Sequence, residues 1–367
     1  MTTAAIAPML AENPPSMPPE AFLLDTVFLL VVLTIVAVLA FDFTNGFHDA
    51  SNMLATLVAS RAMTPAQAAL LVACFTLLGP ILGGTAVANT IGGLVSIETL
   101  PPPEALRIVL CAVGGAVGWN LLTWRLGIPS SSSHALVGGL TGVVMAGPGS
   151  EHVAWGFTAL IQGHLTGVAK VLAALLVSPV VGFAAGFLLH RLMNFLLRAA
   201  RPKVNRRLRR GQWVTAAALA FSHGANDAQK GMGIITLVLV LGGQLPHFEV
   251  PLWVMGLSAV IITAGTLLGG WRIVRTLGFG IYKLRPLHGL DAQLASAGVI
   301  MGASLVGGPV STTHVVTTAI MGIGASERPR AVRWSVAGEI ALTWLLTLPG
   351  SALLACLLFG LVQTLLH

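Results

Sequence analysis

The sequence predicts an all-α polytopic membrane protein: two inverted-topology repeats of about five transmembrane segments each, with broken or re-entrant half-helices. Three observations lead there. Of 367 residues, 55% are hydrophobic and 9% charged, with a mean hydropathy of +0.86, and stretches such as residues 28–41 lack the polar stripe of a soluble helix. Asn45-Gly-Phe-His-Asp-Ala-Ser-Asn52 and His223-Gly-Ala-Asn-Asp-Ala-Gln-Lys230 set polar residues into apolar sequence and align Asp49 with Asp227. A second pair, Pro129-Ser-Ser-Ser-Ser-His134 and Pro309-Val-Ser-Thr-Thr-His314, follows at nearly the same spacing, so the whole half is duplicated.

The elements follow in order along the chain. Residues 1–20, Pro-rich and without Lys or Arg, are expected to be a disordered tail, since they lack the basic flank of a cleavable signal peptide. Apolar spans are predicted at 21–41, 66–95, 105–124 and 165–189, which with a shorter one starting at Pro129 fill the first repeat, residues 21–190. Eight of the twenty Lys and Arg residues crowd into 191–210, which reads as a basic cytoplasmic loop. The second repeat, 211–367, carries spans at 214–243, 251–271 and 334–366 and a short one from Pro309. An N-terminus outside and about five crossings return the chain to the cytoplasm at Arg191; an odd number inverts the second copy. The protein is therefore expected in the cell (inner or plasma) membrane, multi-pass, embedded in the lipid bilayer. Because so much of its positive charge is concentrated in this one cytoplasmic loop, no nucleic-acid partner is expected. Cys74, Cys111 and Cys356 lie in apolar spans without metal-ligand spacing.

A lone carboxylate at mid-bilayer costs about 2.5–3.5 kcal/mol on insertion scales, so Asp49 and Asp227 each need a partner. The only nearby Lys or Arg is Lys230, which makes a bound cation or a proton the expected neutraliser. Gly46 and Gly224 would permit unwound backbone whose carbonyls could help coordinate it. Asn45, Asn52 and Asn226 add neutral oxygens, an oxygen-only set that suits a hard cation such as Na+. No metal beyond Na+ is expected. His48 and His223 would either carry a proton or act as helix-terminal donors. The bland reading of the Asp residues is a helix cap or an interhelical hydrogen bond.

Each Pro-Ser segment reads as the start of a half-helix, with Pro in the first turn and hydroxyls able to cap free amides. Ser131, Ser132 and Ser133, with Ser311, Thr312 and Thr313, then add donors to two positive helix ends, a setting for a tetrahedral oxyanion. Ordinary caps and small-residue packing remain the alternative. Asp42, Asp291 and Glu339 are candidates for a proton or ion relay with His48 and His223, or else sit near an interface. Neither a His-Glu-x-x-His signature nor a phosphate-loop Gly-Lys-Ser/Thr occurs, and no positioned catalytic base is evident, so an enzyme is not expected and no catalytic residue or cofactor is assigned.

Together with Trp119-Asn-Leu-Leu-Thr-Trp124, these motifs resemble the inorganic phosphate transporters of the PiT type, especially the bacterial low-affinity ones. The resemblance spans both halves. It implies symport of inorganic phosphate with a coupling cation, Na+ or H+, the duplicated Asp and Asn motifs forming the ion and phosphate sites, and a homodimer. Sulfate or another tetrahedral oxyanion, or an anion channel, are the alternatives. One departure stands out: where family members often carry Glu-Thr upstream of the second Pro-x-Ser motif, this chain reads Leu290-Asp-Ala-Gln-Leu294. Either Asp291 supplies the missing carboxylate or that site is altered.

Overall fold

Residues 19–366 are described by a computed structural model. The expected tail falls outside them, except that Pro19 and Glu20 already belong to the first helix. Seven helices make the first half: α1 (Pro19–Ala59), α2 (Pro65–Leu82), α3 (Ala86–Gly92), α4 (Pro102–Leu126), α5 (Ser132–Ala146), α6 (Phe157–Ile161) and α7 (Gly167–Leu196). The second half holds α8 (Val204–Leu241), α9 (Leu252–Leu268), α10 (Trp271–Arg275), α11 (Pro286–Leu305), α12 (Thr312–Glu327) and α13 (Trp334–Leu366). Among the described residues the only β pairing is one bridge, Val95 to Val153. The basic stretch 191–210 is mostly helical, with a break of only seven residues between Leu196 and Val204. Arg is a good helix former, so α8 simply runs on into its basic end.

Among the described residues, five helices are long and apolar enough to cross a membrane: α1, α2, α4, α7 and α13. A sixth span counts if α9 and the helix after it, bent by 58°, are taken together. At 38 and 20 residues, α8 and α11 also have the length to cross. They are less apolar because each carries a row of buried polar side chains, including Asn226, Asp227 and Lys230 on α8 and Asp291 and Gln293 on α11. The protein is thus a polytopic all-α membrane protein. Its outer surface fits that solvent: Leu188, Leu252, Leu345 and Leu357 are all more than half exposed.

The halves interlock by exchange. α1 packs on α9 and α8 on α2; α5 packs on α13 and α12 on α7. The glycines of the Asp motifs serve this packing and do not unwind the backbone. α1 and α8 run unbroken through Gly46 and Gly224, against expectation. A β-carbon at Gly46 would collide with the Ile262 carbonyl of α9, and one at Gly224 with the Thr76 carbonyl of α2. Lacking a side chain, each lets two backbones touch.

α5 and α12, 15 and 16 residues long, are short of a full crossing. Their N-termini meet, with the rings of His134 and His314 4.7 Å apart. Their far ends diverge. α5 runs out toward the Val95–Val153 bridge beside the start of α4. α12 ends at Glu327, which accepts a hydrogen bond of 2.8 Å from Tyr282. That end lies with the finish of α4, since Arg272 donates to the Arg125 carbonyl at 2.7 Å. The half-helices therefore point in opposite directions from a shared centre.

Candidate transport site

The two Asp motifs and the two half-helix starts converge at that centre. Ser131 and Ser311 cap α5 and α12, accepting from the backbone N–H of His134 at 3.2 Å and of His314 at 3.3 Å. These two hydroxyls accept the cap hydrogen bonds, and the next residues along reach the carboxylates. Ser132 Oγ donates to Asp49 Oδ2 at 3.2 Å and to Asn45 Oδ1 at 2.5 Å. Thr313 Oγ1 contacts Asp49 Oδ1 at 3.0 Å, and Thr312 Oγ1 lies 3.1 Å from Asp49 Oδ2 and 3.2 Å from Asp227 Oδ2. Thr312 thus bridges two carboxylates that are 178 residues apart in sequence. One ligand atom each from Asp49, His223 and Asp227 lies within 4.8 Å of the others. Ser133 turns away, to the Val310 carbonyl at 3.2 Å.

Both carboxylates are buried but differently partnered. Asp49 has His48 Nδ1 at 3.1 Å and otherwise only hydroxyl donors. Asp227 is ion-paired to Lys230 one turn on and has His223 Nδ1 3.0 Å away. Lys230 is fully buried and also donates to the Val310 carbonyl at 3.2 Å. The chain itself therefore neutralises Asp227, and the expectation that this carboxylate needs a bound cation is corrected. An ammonium three residues along a helix lies on the same face, and burial leaves the pair no better partner.

Several buried polar atoms around the two carboxylates have no protein partner: Asn45 Nδ2, Asn52 Oδ1 and Asn226 Oδ1. Their other ends are fixed. Asn52 Nδ2 donates to Thr313 Oγ1 at 3.0 Å, and Asn226 Nδ2 to Ser304 Oγ at 2.8 Å and the Gly308 carbonyl at 3.2 Å. A buried amide left half-satisfied is costly, and an anchored amide with one free end is a natural ligand for an ion. Two free oxygens suit a hard cation, and the free N–H group an anion.

The remaining candidates separate. His48 belongs to the site, its Nε2 3.3 Å from Thr123 Oγ1 and 3.4 Å from Ser130 Oγ. His223 belongs through Asp227. Asp42 is buried against Gly231 of α8 and lies beside Ser258 of α9. Asp291 pairs with His190 of α7 at 2.6 Å, which takes it into a separate cluster and not into the expected relay. Glu339 is exposed on α13, so it too drops out; only its backbone carbonyl is engaged, by Thr343 at 2.9 Å. Ser130, Thr123, Ser304 and the Val310 carbonyl were not singled out from the sequence. Thr123 sits in the Trp119–Trp124 motif, which flagged the segment without giving the residue a role.

A family profile described as "Phosphate transporter family" matches residues 45–355, from the first Asp motif to the last helix. This chain belongs to the phosphate transporter family. A Bacillus subtilis relative named "Probable low-affinity inorganic phosphate transporter" is 39% identical over 93% of this chain and 99% of its own length. A Rhizobium meliloti protein of the same name is 41% identical over 90% of this chain and 96% of that one. A Mycobacterium bovis relative, again so named, is 42% identical over 91% of this chain and 78% of itself. Among solved structures, "The sodium-dependent phosphate transporter" superposes with a TM-score of 0.81 at 24% identity, over 92% of this chain and 99% of that one. At that identity the likeness speaks to the fold. The relatives are named as transporters, in agreement with the non-enzymatic reading.

Proposed function

We propose that this protein imports inorganic phosphate across the cell membrane by symport with a cation, through alternating access. The observation that carries the reading is the meeting of Asp49, Asp227 and the α5 and α12 N-termini at one buried point, with Thr312 shared between the two carboxylates. Helix N-termini with hydroxyls beside them attract an oxyanion without a permanent cationic clamp, so the anion can leave again. Ser132, Thr312 and Thr313 would hold it.

Charge explains the coupling. With Lys230 balancing Asp227, Asp49 is the carboxylate of the centre without a fixed ammonium beside it, and its negative charge repels phosphate. One Na+ or H+ at Asp49 removes that repulsion. Na+ would take Asp49, Asn45 and Asn52 as oxygen ligands, with Asn226 on the far side, whereas a proton would sit on Asp49 or His48. Cation binding before the anion follows from either. The inverted halves, residues 21–190 and 211–367, would rock about this point to expose it to each side in turn. The N-terminus lies outside and the 191–210 segment in the cytoplasm in this reading. A homodimer in the bilayer belongs to it through the resemblance, although the site is complete within one chain.

A carboxylate beside the anion favours phosphate, which can donate a hydrogen bond, over sulfate, which cannot at neutral pH. Uptake of radiolabelled phosphate into proteoliposomes, with Na+ and pH gradients imposed separately, tests the whole reading. Concentrative uptake driven by one gradient and poorly inhibited by sulfate is expected. Flux that only dissipates the phosphate gradient would mean a channel, and strong sulfate competition a general oxyanion permease.

A further inference from the structure

A cavity of about 610 Å3 opens beside the end of α1, on the face that carries the 191–210 segment. Five cations line it: Arg61 just after α1, Arg209 on α8, Lys283 and Arg285 ahead of α11, and Arg333 ahead of α13. No carboxylate is among the lining residues. Arg285 has Glu327 at 3.4 Å, and Arg333 donates to the Gly280 carbonyl at 3.5 Å. Among the described residues, no ion pair holds Arg61, Arg209 or Lys283. Cations brought together from separate segments repel one another until an anion joins them. Arg61 is also the only non-glycine residue among those described with a positive φ, 56°, at a helix end that usually falls to Gly or Asn.

The floor of this cavity is joined to the central site. Ser60 lines it, and Asp49, Asn52, Thr56 and Ser60 follow at spacings of three and four, which puts them on one face of α1. All four are buried. Buried side chains of α8, α11 and α12 continue the row: Asn52 Nδ2 donates to Thr313 Oγ1 at 3.0 Å, Gln293 Nε2 to Thr56 Oγ1 at 3.0 Å, and Ser60 Oγ to Gln212 Oε1 at 2.9 Å. Gln293 Nε2 also reaches Gln212 Oε1 at 3.2 Å, and Gln212 Nε2 donates at 2.9 Å to the carbonyl of Pro286, another lining residue. From Asp49 to Ser60 is eleven residues, about 16 Å of helix. A row of amides and hydroxyls therefore runs from the carboxylate to the cavity, and neutral polar groups inside a membrane protein mark an ion path that does not trap the ion.

We propose that this cavity is the cytoplasmic mouth of the transport path and holds a phosphate-class oxyanion on Arg61, Arg209 and Lys283. The inference rests on the transport reading above, including its placement of the 191–210 segment in the cytoplasm. A phospholipid headgroup has the same chemistry, but the row of side chains leading inward serves only a free ion. A cleft lined by one sign of charge concentrates the anion at its opening. Because no carboxylate faces the anion there, the mouth binds it without a coupling cation, unlike the centre, and added salt weakens that binding by screening.

The test compares full-length wild type with a triple variant, Arg61→Asn, Arg209→Gln and Lys283→Gln, which leaves Arg285 with Glu327 and gives position 61 a residue that tolerates its φ. Phosphorus NMR line broadening of inorganic phosphate is read in phosphatidylcholine nanodiscs in Na+-free buffer. Wild type should broaden the line, less so as salt rises, and the triple variant should broaden it far less. Phosphate uptake is then measured in right-side-out and inverted membrane vesicles. The variant should raise the half-saturating phosphate concentration about tenfold at the cytoplasmic face and leave the outer face unchanged. The charge-keeping pair Arg209→Lys with Lys283→Arg should behave as wild type, which separates lost charge from lost fold. Equal broadening by wild type and triple variant, or a shift at both faces or at neither, overturns the proposal. So does loss of the wild-type broadening in phosphatidylglycerol nanodiscs, which would assign these cations to lipid. Wild-type vesicles that take up no phosphate from either face would contradict the transport reading, whereas wild-type uptake with an unshifted triple variant contradicts the mouth alone.

Discussion

Asp49 on α1 and Asp227 on α8 occupy equivalent places in the two halves, yet three residues on the first copy has Asn52 and the second has Lys230. The frame around them is shared. Each lies on an unbroken helix just after a glycine that touches a helix of the opposite half, and Thr312 reaches both. What fills the frame differs. Asp49 is surrounded by hydroxyls and a histidine, while Asp227 is locked to a fixed ammonium. In the proposed reading one duplicated carboxylate is structural and the other is open to a mobile ion, and the residue at the Asn52/Lys230 position decides which.

Breaking the locked side should give the largest effect. Asp227→Asn leaves Lys230 as an uncompensated buried charge, which costs about 3–5 kcal/mol. A steep fall in melting temperature and in yield of monodisperse protein is expected, and Asp227→Asn with Lys230→Met should restore much of it. Full stability of the single variant would show that Lys230 finds another partner. Lys230→Asn instead makes the second copy like the first. Its stability should fall in low salt and recover as the coupling cation is added, and the cation dependence of phosphate uptake should steepen from first order toward second. An unchanged order would mean that Lys230 does not stand in for a cation.

Smaller effects separate caps from ligands. Ser131→Ala and Ser311→Ala remove a hydroxyl that caps a helix, at about 1 kcal/mol of stability each, and should leave phosphate affinity less affected than Ser132→Ala, whose hydroxyl faces Asp49. Uptake kinetics and melting curves on the same preparations distinguish the two classes. At the bottom of the scale, Glu339→Gln should change neither, because Glu339 is exposed on α13 away from the centre. A change in the pH dependence of uptake in that variant would return it to the relay.

Much of this was legible in the chain because lipid makes polar residues conspicuous. The duplicated Asp and Pro-Ser motifs stood out against apolar sequence, and their doubling pointed to one shared centre, which Thr312 occupies. What stayed hidden depends on which neighbour meets which face. Gly46 and Gly224 read as places for the helix to unwind, since freedom of backbone and absence of bulk look alike in a sequence; only the carbonyls of Ile262 and Thr76 reveal close packing. Lys230 was visible beside Asp227, but with the backbone read as unwound at Gly224 nothing put the two on one helix face. Asp291 and Glu339 looked alike as carboxylates near apolar spans, and their fates were set by α7 supplying His190 to one and nothing covering the other.

The central claim is that Asp49 is the open carboxylate through which a cation admits phosphate. The direct measurement is gradient-driven phosphate accumulation in proteoliposomes by Asp49→Asn beside wild type, with folding verified on both by size exclusion and circular dichroism. The account predicts that the variant keeps its fold, since no fixed charge loses its partner, and accumulates no phosphate under any cation gradient. A folded Asp49→Asn protein that still concentrates phosphate as wild type does would contradict it.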